Sequence, residues 1–551
     1  MDPSGGTRSV PSRARRRVLV DRITVGGLST YVGLLLLVFV LYPTVFLIVT
    51  PGLEDWGSLL RSPRFQVSAR NTAIIGVFST LSATFIGFLF AYALSRPDIR
   101  FRSLLRLMAL LPLVSPPFVV GLSVLLLFGR RGLVSHHLLG LDVSLLGGVG
   151  LWLVQTLAFF PLAALTLAPT LKNIGSTQEW ASRDLGWSWA QTFRRITLPL
   201  CFPTVLNALL LVAMFVLTDF GNPLLIGGGF RVLSVEAFIQ AVGHRNFSMA
   251  AAVSIVLFIP TMLLFLIQRR VLKRRSVVTL SGKTSSLPPM PVPASVRVTL
   301  VGILLGISAL MVLIYGSILV GSMVQAWGAN WTLTLTHWET ALLRGDAIRN
   351  SALFALMASV VTAVTAIIAA YVVHRTEAVG RNFMDGLAIL PAAIPGTMVG
   401  ISWLVTFNRP PLALTGTALI LVLVMVVRGL PVGYRTAVTS LRQISPSIDE
   451  AARDLGGSRI RVLGSIMAPL LGGAFTTAFL FGFLHAINTL SAVIFLISPG
   501  FQLASPAIVN FAEFGQWGAA TGVAAALMLV TFTILGIAKL VLGGRLQLYE
   551  L

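Results

Sequence analysis

Three polar side chains inside long apolar stretches of this 551-residue sequence are candidates for function. Asp219 and Asn222 fall in the apolar run 204–224, and Asn488 falls in the run 471–497. An ionisable residue in a membrane-spanning run is costly and is a candidate for function by default, which singles out Asp219. A position at the end of the span explains Asp219 equally well. Asn222 and Asn488 are candidates for lining a path across the membrane, and hydrogen bonding between helices is the alternative.

Other residues with chemical potential lack the arrangement that chemistry needs. No Ser/His/Asp or paired-carboxylate pattern indicates a catalytic centre. Residues 281–284 read Ser-Gly-Lys-Thr like the end of a phosphate-binding loop, but the upstream glycine is replaced by Val277. His136 and His137 have no further ligands at metal-binding spacing, and Cys201 is the single cysteine. We therefore expect no catalytic residues, no metal site and no cofactor bound by this chain.

One polar pattern of small residues, glycine, isoleucine and proline occurs twice with the same spacing. Alanine favours a short helix, glycine ends it and turns the chain, and isoleucine with proline starts the next helix. The pattern predicts a compact helix on a sharp corner, whereas an amphipathic surface helix is the alternative. The first copy contains Glu179, Ala181, Gly186, Ile196 and Pro199, and the second contains Glu450, Ala451, Ala452, Gly456, Ile466 and Pro469.

The composition places these elements in a bilayer. Hydrophobic residues make up 56% of the chain, charged residues 11%, and the mean hydropathy is +0.88. The net charge of +22 does not indicate nucleic acid, because most Lys and Arg residues flank apolar runs. We expect membrane lipid, and no nucleic acid, as a partner.

Apolar runs long enough to span a bilayer predict an all-α polytopic protein with about twelve transmembrane helices. With the N-terminus in the cytoplasm, most basic segments fall inside, and both termini are cytoplasmic. Arg61, Arg64, Arg130 and Arg131 are exceptions that fall outside. The runs are 28–49, 71–94, 104–128, 147–168, 204–224, 249–267, 298–324, 350–373, 386–406, 415–434, 471–497 and 517–542.

The chain contains an internal repeat, because many residues recur at a fixed distance. At an offset of 279, Asn71, Ala91, Tyr92, Arg96, Pro112, Pro116 and Gly121 recur as Asn350, Ala370, Tyr371, Arg375, Pro391, Pro395 and Gly400. At an offset of 270, Arg-Asp-Leu-Gly at 183–186 recurs at 453–456. The repeated prolines are expected to kink or break the third span of each repeat.

Six spans per repeat is an even number, so both repeats enter the membrane in the same orientation and are parallel. We expect an N-terminal tail at 1–27, a first half at 28–267, a cytoplasmic linker at 268–297, a second half at 298–542 and a C-terminal tail at 543–551. A substrate path would lie between the halves.

The second polar corner resembles the cytoplasmic E-A-A motif of bacterial binding-protein-dependent importer permeases, in residue types and in spacing up to Pro469. The first corner keeps the spacing but has Trp180 where that family has Glu, with Glu179 one place earlier. The resemblance implies that each corner is a coupling helix that docks on an ATP-binding cassette subunit. It implies two such subunits holding ATP and Mg, a periplasmic solute-binding protein and a place in the bacterial inner membrane.

The two fused halves, with Thr-Asp-Phe-Gly-Asn-Pro-Leu-Leu at 218–225, resemble ferric-iron importer permeases. Thr489 occupies a position where an acid is common in those relatives. Ferric iron is the leading cargo by this resemblance, with thiamine, aminoethylphosphonate or a polyamine as alternatives. An ion-driven secondary transporter is a further alternative, but it predicts acid or His relays in the membrane, which are scarce here.

Overall fold

The apolar runs fold into helices, because a bilayer offers the backbone no other hydrogen-bond partner. The computed structural model describes residues 12–116, 118–141, 144–173, 176–274, 289–455 and 457–542. The repeats are named here the first half, residues 12–274, and the second half, residues 289–542. The tail 543–551 and most of the expected linker lie outside the described residues.

The first half contains thirteen described α-helices. They are α1 Ser12–Leu36, α2 Tyr42–Val49, α3 Leu53–Arg61, α4 Pro63–Ser95, α5 Arg102–Val114, α6 Phe118–Phe128, α7 Gly148–Asn173, α8 Ser176–Asp184, α9 Trp189–Thr192, α10 Leu198–Thr218, α11 Gly221–Ile226, α12 Leu233–Phe238 and α13 Phe247–Arg274. Segments of π-helix occupy Leu37–Leu41, Leu133–Leu138, Phe193–Thr197 and Ile239–Gly243.

The second half opens with one helix and a short antiparallel hairpin, in which Val324 pairs with Leu333 and Ala326 with Asn330. Its elements are α14 Ala294–Gly321, β1 Val324–Ala326, β2 Asn330–Leu333, α15 Thr336–Glu339, α16 Asp346–Arg375, α17 Arg381–Ile389, α18 Gly396–Thr406, α19 Ala418–Gln443, α20 Pro446–Asp454, α21 Arg459–Val462, α22 Ala468–Leu470, α23 Gly472–Ile487, α24 Ala504–Glu513 and α25 Trp517–Leu542. Segments Thr340–Arg344 and Leu463–Met467 are π-helical, and Leu390–Ala392 and Val493–Phe495 are 3₁₀-helical.

The number of spans agrees with the sequence. In the described residues, ten helices are long and apolar enough to cross a membrane, and two bent helix pairs raise the number to as many as twelve. The repeat is also visible in the elements. Helices α7, α8 and α9, shifted by 270 residues, have the same bounds as α19, α20 and α21.

The third span of each half is broken where the sequence places the repeated prolines. In the first half, α5 ends at Val114 and α6 starts at Phe118. In the second half, the stretch Arg381–Ala392 meets Gly396–Thr406 at 111°. Proline lacks the backbone donor that a continuous helix needs, so the break follows directly from the sequence.

The fifth span of each half ends before its apolar run does. The run 204–224 is divided, because α10 ends at Thr218 and α11 starts at Gly221. The run 471–497 is divided as well, since α23 ends at Ile487. Hydropathy averaged over a long window does not report these breaks, although Asp219, Gly221 and Pro223 follow the first of them in the sequence. The expected linker 268–297 is also shortened at both ends, since α13 continues to Arg274 and α14 begins at Ala294.

Each half has a core of three closely packed helices, α4, α7 and α10 in the first and α16, α19 and α23 in the second. Small residues allow this approach. A Cβ atom added to Gly87 on α4 would lie 2.5 Å from the Ala163 Cβ and 2.6 Å from the Phe160 carbonyl oxygen of α7.

The opening helix of each half packs on the other half. Helices α1 and α2 contact α16, α17 and α18, where Phe39 lies 5.7 Å from both Trp403 and Phe407, centroid to centroid. Reciprocally, α14 contacts α4, α5 and α6, and the hydroxyls of Ser115 and Tyr315 are 2.6 Å apart. The exchange ties the halves together.

The contact at Gly87 predicts that Gly87→Val lowers the stability of the purified chain. The added atoms meet backbone, which cannot move aside as a side chain can, so overpacking should cost about 1 to 3 kcal/mol. Gly306→Val on α14 is the matched control, because nothing lies within 4 Å of the position of its Cβ. Thermal unfolding in detergent should show a clear drop for Gly87→Val alone. Equal melting temperatures would refute the packing argument.

Candidate coupling corners and transport path

The first corner, residues 176–199, consists of a short helix, a turn and the start of the fifth span. Helix α8 ends at Asp184, and Gly186 follows with φ +82°, a left-handed conformation that favours glycine. Ser188 and Gln191 then cap α9 reciprocally, with the Ser188 amide donating to the Gln191 Oε1 at 2.8 Å. Pro199 is the second residue of α10, as the sequence pattern predicts.

Glu179 anchors this corner to the end of the second span. Its carboxylate accepts two hydrogen bonds of 2.7 Å from the guanidinium of Arg96, and the two side chains are only 2% and 3% exposed. The Thr197 hydroxyl donates to Oε1 at 2.9 Å, and the Met290 amide donates to Oε2 at 3.1 Å. The guanidinium also donates to the Met290 carbonyl at 3.0 Å and lies 4.7 Å from the Tyr92 ring centroid.

The hydrogen bonds keep this carboxylate charged. Burial alone raises the pKa of Glu179, but the hydrogen bonds and charge of Arg96, with the Thr197 and Met290 donors, outweigh it and lower the pKa below its usual value. A carboxyl whose folded pKa is lowered stabilises the fold above its unfolded pKa and loses that contribution as the pH falls through the folded value. The anchor is therefore complete at neutral pH.

The second corner, residues 446–469, has the same elements and a looser anchor. Arg375 Nη1 lies 3.6 Å from Asp449 Oδ2, and both side chains are largely buried. The Arg375 Nη2 donates to the carbonyl of Leu441 at 2.9 Å and to that of Ile444. Gly456, the glycine expected to end α20, lies outside the described residues.

The paired carboxylates occupy equivalent positions, one residue before the motif glutamate. Glu179 and Asp449 are 270 residues apart, as are Trp180 and Glu450. Glu450 and Ala451 are exposed and Ala452 is half-buried, while in the first corner Ala181 is exposed. Ile196 and Ile466 are half-buried, and Pro199 and Pro469 are exposed. Glu179 is therefore the counterpart of Asp449 and not a displaced Glu450.

Sequence reasoning missed Arg96, Arg375 and Asp449 as anchors. The sequence contained a signal for these residues. Arg96 and Arg375 recur at the 279-residue offset, and Glu179 and Asp449 are acids at equivalent positions of the 270-residue offset. It also missed two leucines that follow the corner helices, Leu185 and Leu455, which are 77% and 91% exposed. These leucines are equivalent under the same 270-residue shift.

Asp219 and Asn222 come together at the break in the fifth span. Asp219 follows the last residue of α10, and its Oδ2 accepts hydrogen bonds of 3.0 Å from the Gln155 side chain and from the Asn222 amide group. Asn222 is fully buried against Gly121 of the broken third span. The carboxylate is thus held by neutral donors on α7 and α11.

Asn488 lies apart from that pair, at the contact between the halves. Its side-chain nitrogen donates to the Val114 carbonyl at 3.2 Å, across the break in the third span of the first half. Next to it, Leu490 approaches the Gly221 position, and Phe495 contacts Phe220 and Phe238 at centroid distances of 6.5 and 5.7 Å. The breaks of the third and fifth spans therefore meet at the interface.

Two six-span repeats, each with a polar corner after its fourth span and with broken spans at the interface, define a two-half membrane permease. The chain belongs to the family described as binding-protein-dependent transport system inner membrane component, whose model matches residues 83–277 and again residues 364–543. It is a multi-pass inner-membrane permease of the ABC importer type.

Similar proteins span most of the chain. The ferric transport system permease protein FbpB of Actinobacillus pleuropneumoniae is 32% identical over 94% of this chain and 78% of its own length. The putative ferric transport system permease protein FbpB 1 of Haemophilus influenzae is 33% identical over 87% of this chain and 78% of its own. The molybdenum transport system permease protein ModB of Mycobacterium bovis is 28% identical over 40% of this chain and 85% of its own.

The buried anchor predicts that Glu179→Gln frees α8 from the end of α4. Removing one partner of a buried ion pair leaves the other charge uncompensated, at a cost of roughly 3 to 5 kcal/mol. Hydrogen–deuterium exchange of the segment 176–188 should become at least tenfold faster. Asp449→Asn should loosen α20 less, because its pair is longer.

Glu450→Gln is the matched control, since its side chain is exposed, and exchange in the second corner should not change. If Glu179→Gln leaves exchange unaltered, the first corner is held by something other than this ion pair.

Proposed function

We propose that this chain is the permease of an ATP-driven importer of ferric iron. The observation that carries the cargo assignment is the similarity to two ferric transport permeases over nearly the whole chain. A transport role for both halves is favoured by the family match in each of them. Similarity to a molybdenum permease extends over less than half of the chain and is a weaker guide to the cargo.

Energy would enter through the two corners, each docked on one ATP-binding cassette subunit that holds ATP and Mg. Three exposed groups suit such a docking surface in the second corner, namely Glu450, Ala451 and Leu455. In the first corner, Ala181 and Leu185 are exposed at the equivalent positions. An exposed leucine beside a tight turn offers apolar surface, and burying it against a partner would stabilise the contact.

Movement of a corner would reach the membrane through its anchor. Arg96 directly follows α4, and Arg375 is the last residue of α16, so each ion pair links a corner to a second span. Each corner also continues into a fifth span, whose far end meets the other half near Phe220 and Phe495. Closure of the ATPase pair would therefore rock both halves and open the path on alternate sides.

We place the corners and both termini in the cytoplasm, because the positive-inside rule puts most basic segments there. A periplasmic solute-binding protein would deliver the cargo at the opposite face, which carries the loops after the first, third and fifth spans of each half. This orientation rests on charge distribution and on the family's dependence on a binding protein.

Uptake in a strain deleted for this chain tests the cargo. Cells carrying the chain with its neighbouring binding protein should accumulate ⁵⁵Fe(III) at a rate abolished by deletion and by ATP depletion. Thiamine, aminoethylphosphonate, polyamine and molybdate are supplied in parallel. Uptake of one of these in place of iron would reassign the cargo, and uptake that follows the proton gradient while ignoring ATP would indicate a secondary transporter.

The docking role predicts that Leu185→Asp and Leu455→Asp each reduce capture of the ATPase subunit, and that the double variant abolishes it. The aspartate carboxylate would lie at the centre of an apolar contact, where it loses its hydration and has no partner of opposite charge. Co-purification with the tagged chain measures capture. Leu333→Asp is the control, because this leucine is 83% exposed on the hairpin, outside both corners. Full capture by the double variant would exclude the corners as the docking surface.

A further inference from the structure

One arginine lies in the middle of a membrane span. Arg428 is near the centre of α19, an apolar helix, and its side chain is half-buried. An arginine at this depth is costly, faces the protein interior or a water-filled space, and marks a functional site by default. Its signal in the sequence is an ionisable residue inside the apolar run 415–434, the same kind of signal that singles out Asp219.

Part of the guanidinium has a structural role. Nη1 donates to the carbonyl oxygens of Pro391 and Ile394, at 3.2 and 2.9 Å, beside the break in the third span. These carbonyls have lost their helical partners, so the arginine satisfies them. The Nε atom is buried without a hydrogen-bond partner. Two carbonyls therefore use one nitrogen of a group that carries five donors.

A second polar group, the imidazole of His485, lies near this charge. His485 on α23 is within electrostatic range of Arg428, and its Nε2 is buried without a partner. Among the described residues, no carboxylate forms an ion pair with Arg428. In the first half, the equivalent positions hold Ala158 and Phe215, so the positive charge is on one side only.

The location is at the contact between the halves. The Thr261 hydroxyl of the first half donates to the Ala393 carbonyl at 3.1 Å, between the two carbonyls that Arg428 binds. Asn488, one turn beyond His485, donates to Val114 of the first half. In a parallel two-repeat transporter, a path at the repeat interface near the midplane runs past such residues.

We propose that Arg428 and His485 form a mid-membrane binding site for an anionic cargo. Resting on the proposed function, this means that ferric iron crosses as a complex with carboxylate or phosphate ligands and a net negative charge. A fixed guanidinium in a low-dielectric path repels a bare trivalent cation and attracts an oxyanion ligand. The unused donors of the guanidinium and the imidazole suit carboxylate or phosphate oxygens.

The test uses the complete complex, with its ATPase subunits and binding protein, in proteoliposomes. Iron is supplied as ⁵⁵Fe with ¹⁴C-citrate, and in a second set with ³²P-phosphate, and both labels are counted inside. Arg428→Gln removes the charge and keeps an amide donor for one carbonyl. Arg428→Lys keeps the charge, and Arg349→Gln removes an exposed arginine on α16, 74% accessible, as the matched control.

We expect one of the labelled anions to enter with iron in a fixed ratio. Arg428→Gln should lower uptake of both labels at least tenfold, whereas Arg428→Lys should stay within about threefold of wild type and Arg349→Gln should match it. Yield, monodispersity and ATPase capture of each variant show that the complex is assembled.

Three results would overturn the site: iron entering without either anion, normal uptake by Arg428→Gln, or equal loss in the Gln and Lys variants, which would leave only the capping role. Failure of the proposed function has a different signature. If wild-type complex takes up no iron but takes up ³⁵S-sulfate or ⁹⁹Mo-molybdate in an Arg428-dependent way, the anion site stands and the iron assignment falls.

Discussion

The lack of hydrogen-bond partners in a lipid bilayer is the constraint on which this structure depends. Each break in a third span exposes carbonyl groups that water cannot reach, and each must find a partner in the protein. Asn488 of the second half serves Val114, and Thr261 of the first half serves Ala393. Because these partners come from the opposite half, neither broken span is satisfied in an isolated half. The breaks that could form a path also hold the interface together.

Much of the fold follows from the sequence, because a spanning helix has a strong signature. Hydropathy, the repeat and the prolines predict the spans, the parallel halves and the broken third spans. Hydropathy alone did not predict the ends of α10 and α23, although Gly221 and Pro223 follow closely after the end of α10 and are a signal for it. After the end of α23, Asn488 contacts the other half, and hydropathy does not encode such a contact.

The sequence predicted where the two corners lie but not which residues form the ion pairs that anchor them. Spacing located both corners, but the motif drew attention to Glu450, whose side chain is exposed, and away from Asp449, which lies against Arg375. The rotation of α20 about its axis decides which of the adjacent residues Asp449 and Glu450 faces Arg375, and a sequence motif does not give that rotation. Arg428 is visible in the sequence as a charge inside an apolar run, but its partners are not. Its partners are carbonyls at a helix break, which residue types alone do not reveal.

The duplicated halves differ in their ionisable residues at equivalent positions of the fourth and fifth spans. The first half has Asp219 at the end of its fifth span, and the second has Thr489 at the equivalent position. The second half has Arg428 and His485 where the first has Ala158 and Phe215. The two halves therefore carry unlike ionisable residues, an acid in the first and an arginine with a histidine in the second, which two identical subunits could not provide. Fusing the halves keeps these unlike sets together.

The segment before α14, which contains Met290 and Val292, binds the first half directly. Met290 exchanges hydrogen bonds with Arg96 and Glu179, and the Val292 amide donates to Asp98 at 3.1 Å. Both residues lie at the end of the expected linker, directly before α14, and their hydrogen bonds join this segment to the first half. A chain cut between residues 275 and 288 would thus carry its own means of reassembly. The covalent connection fixes the two unlike halves at one copy each. The contacts between their folded surfaces hold them together.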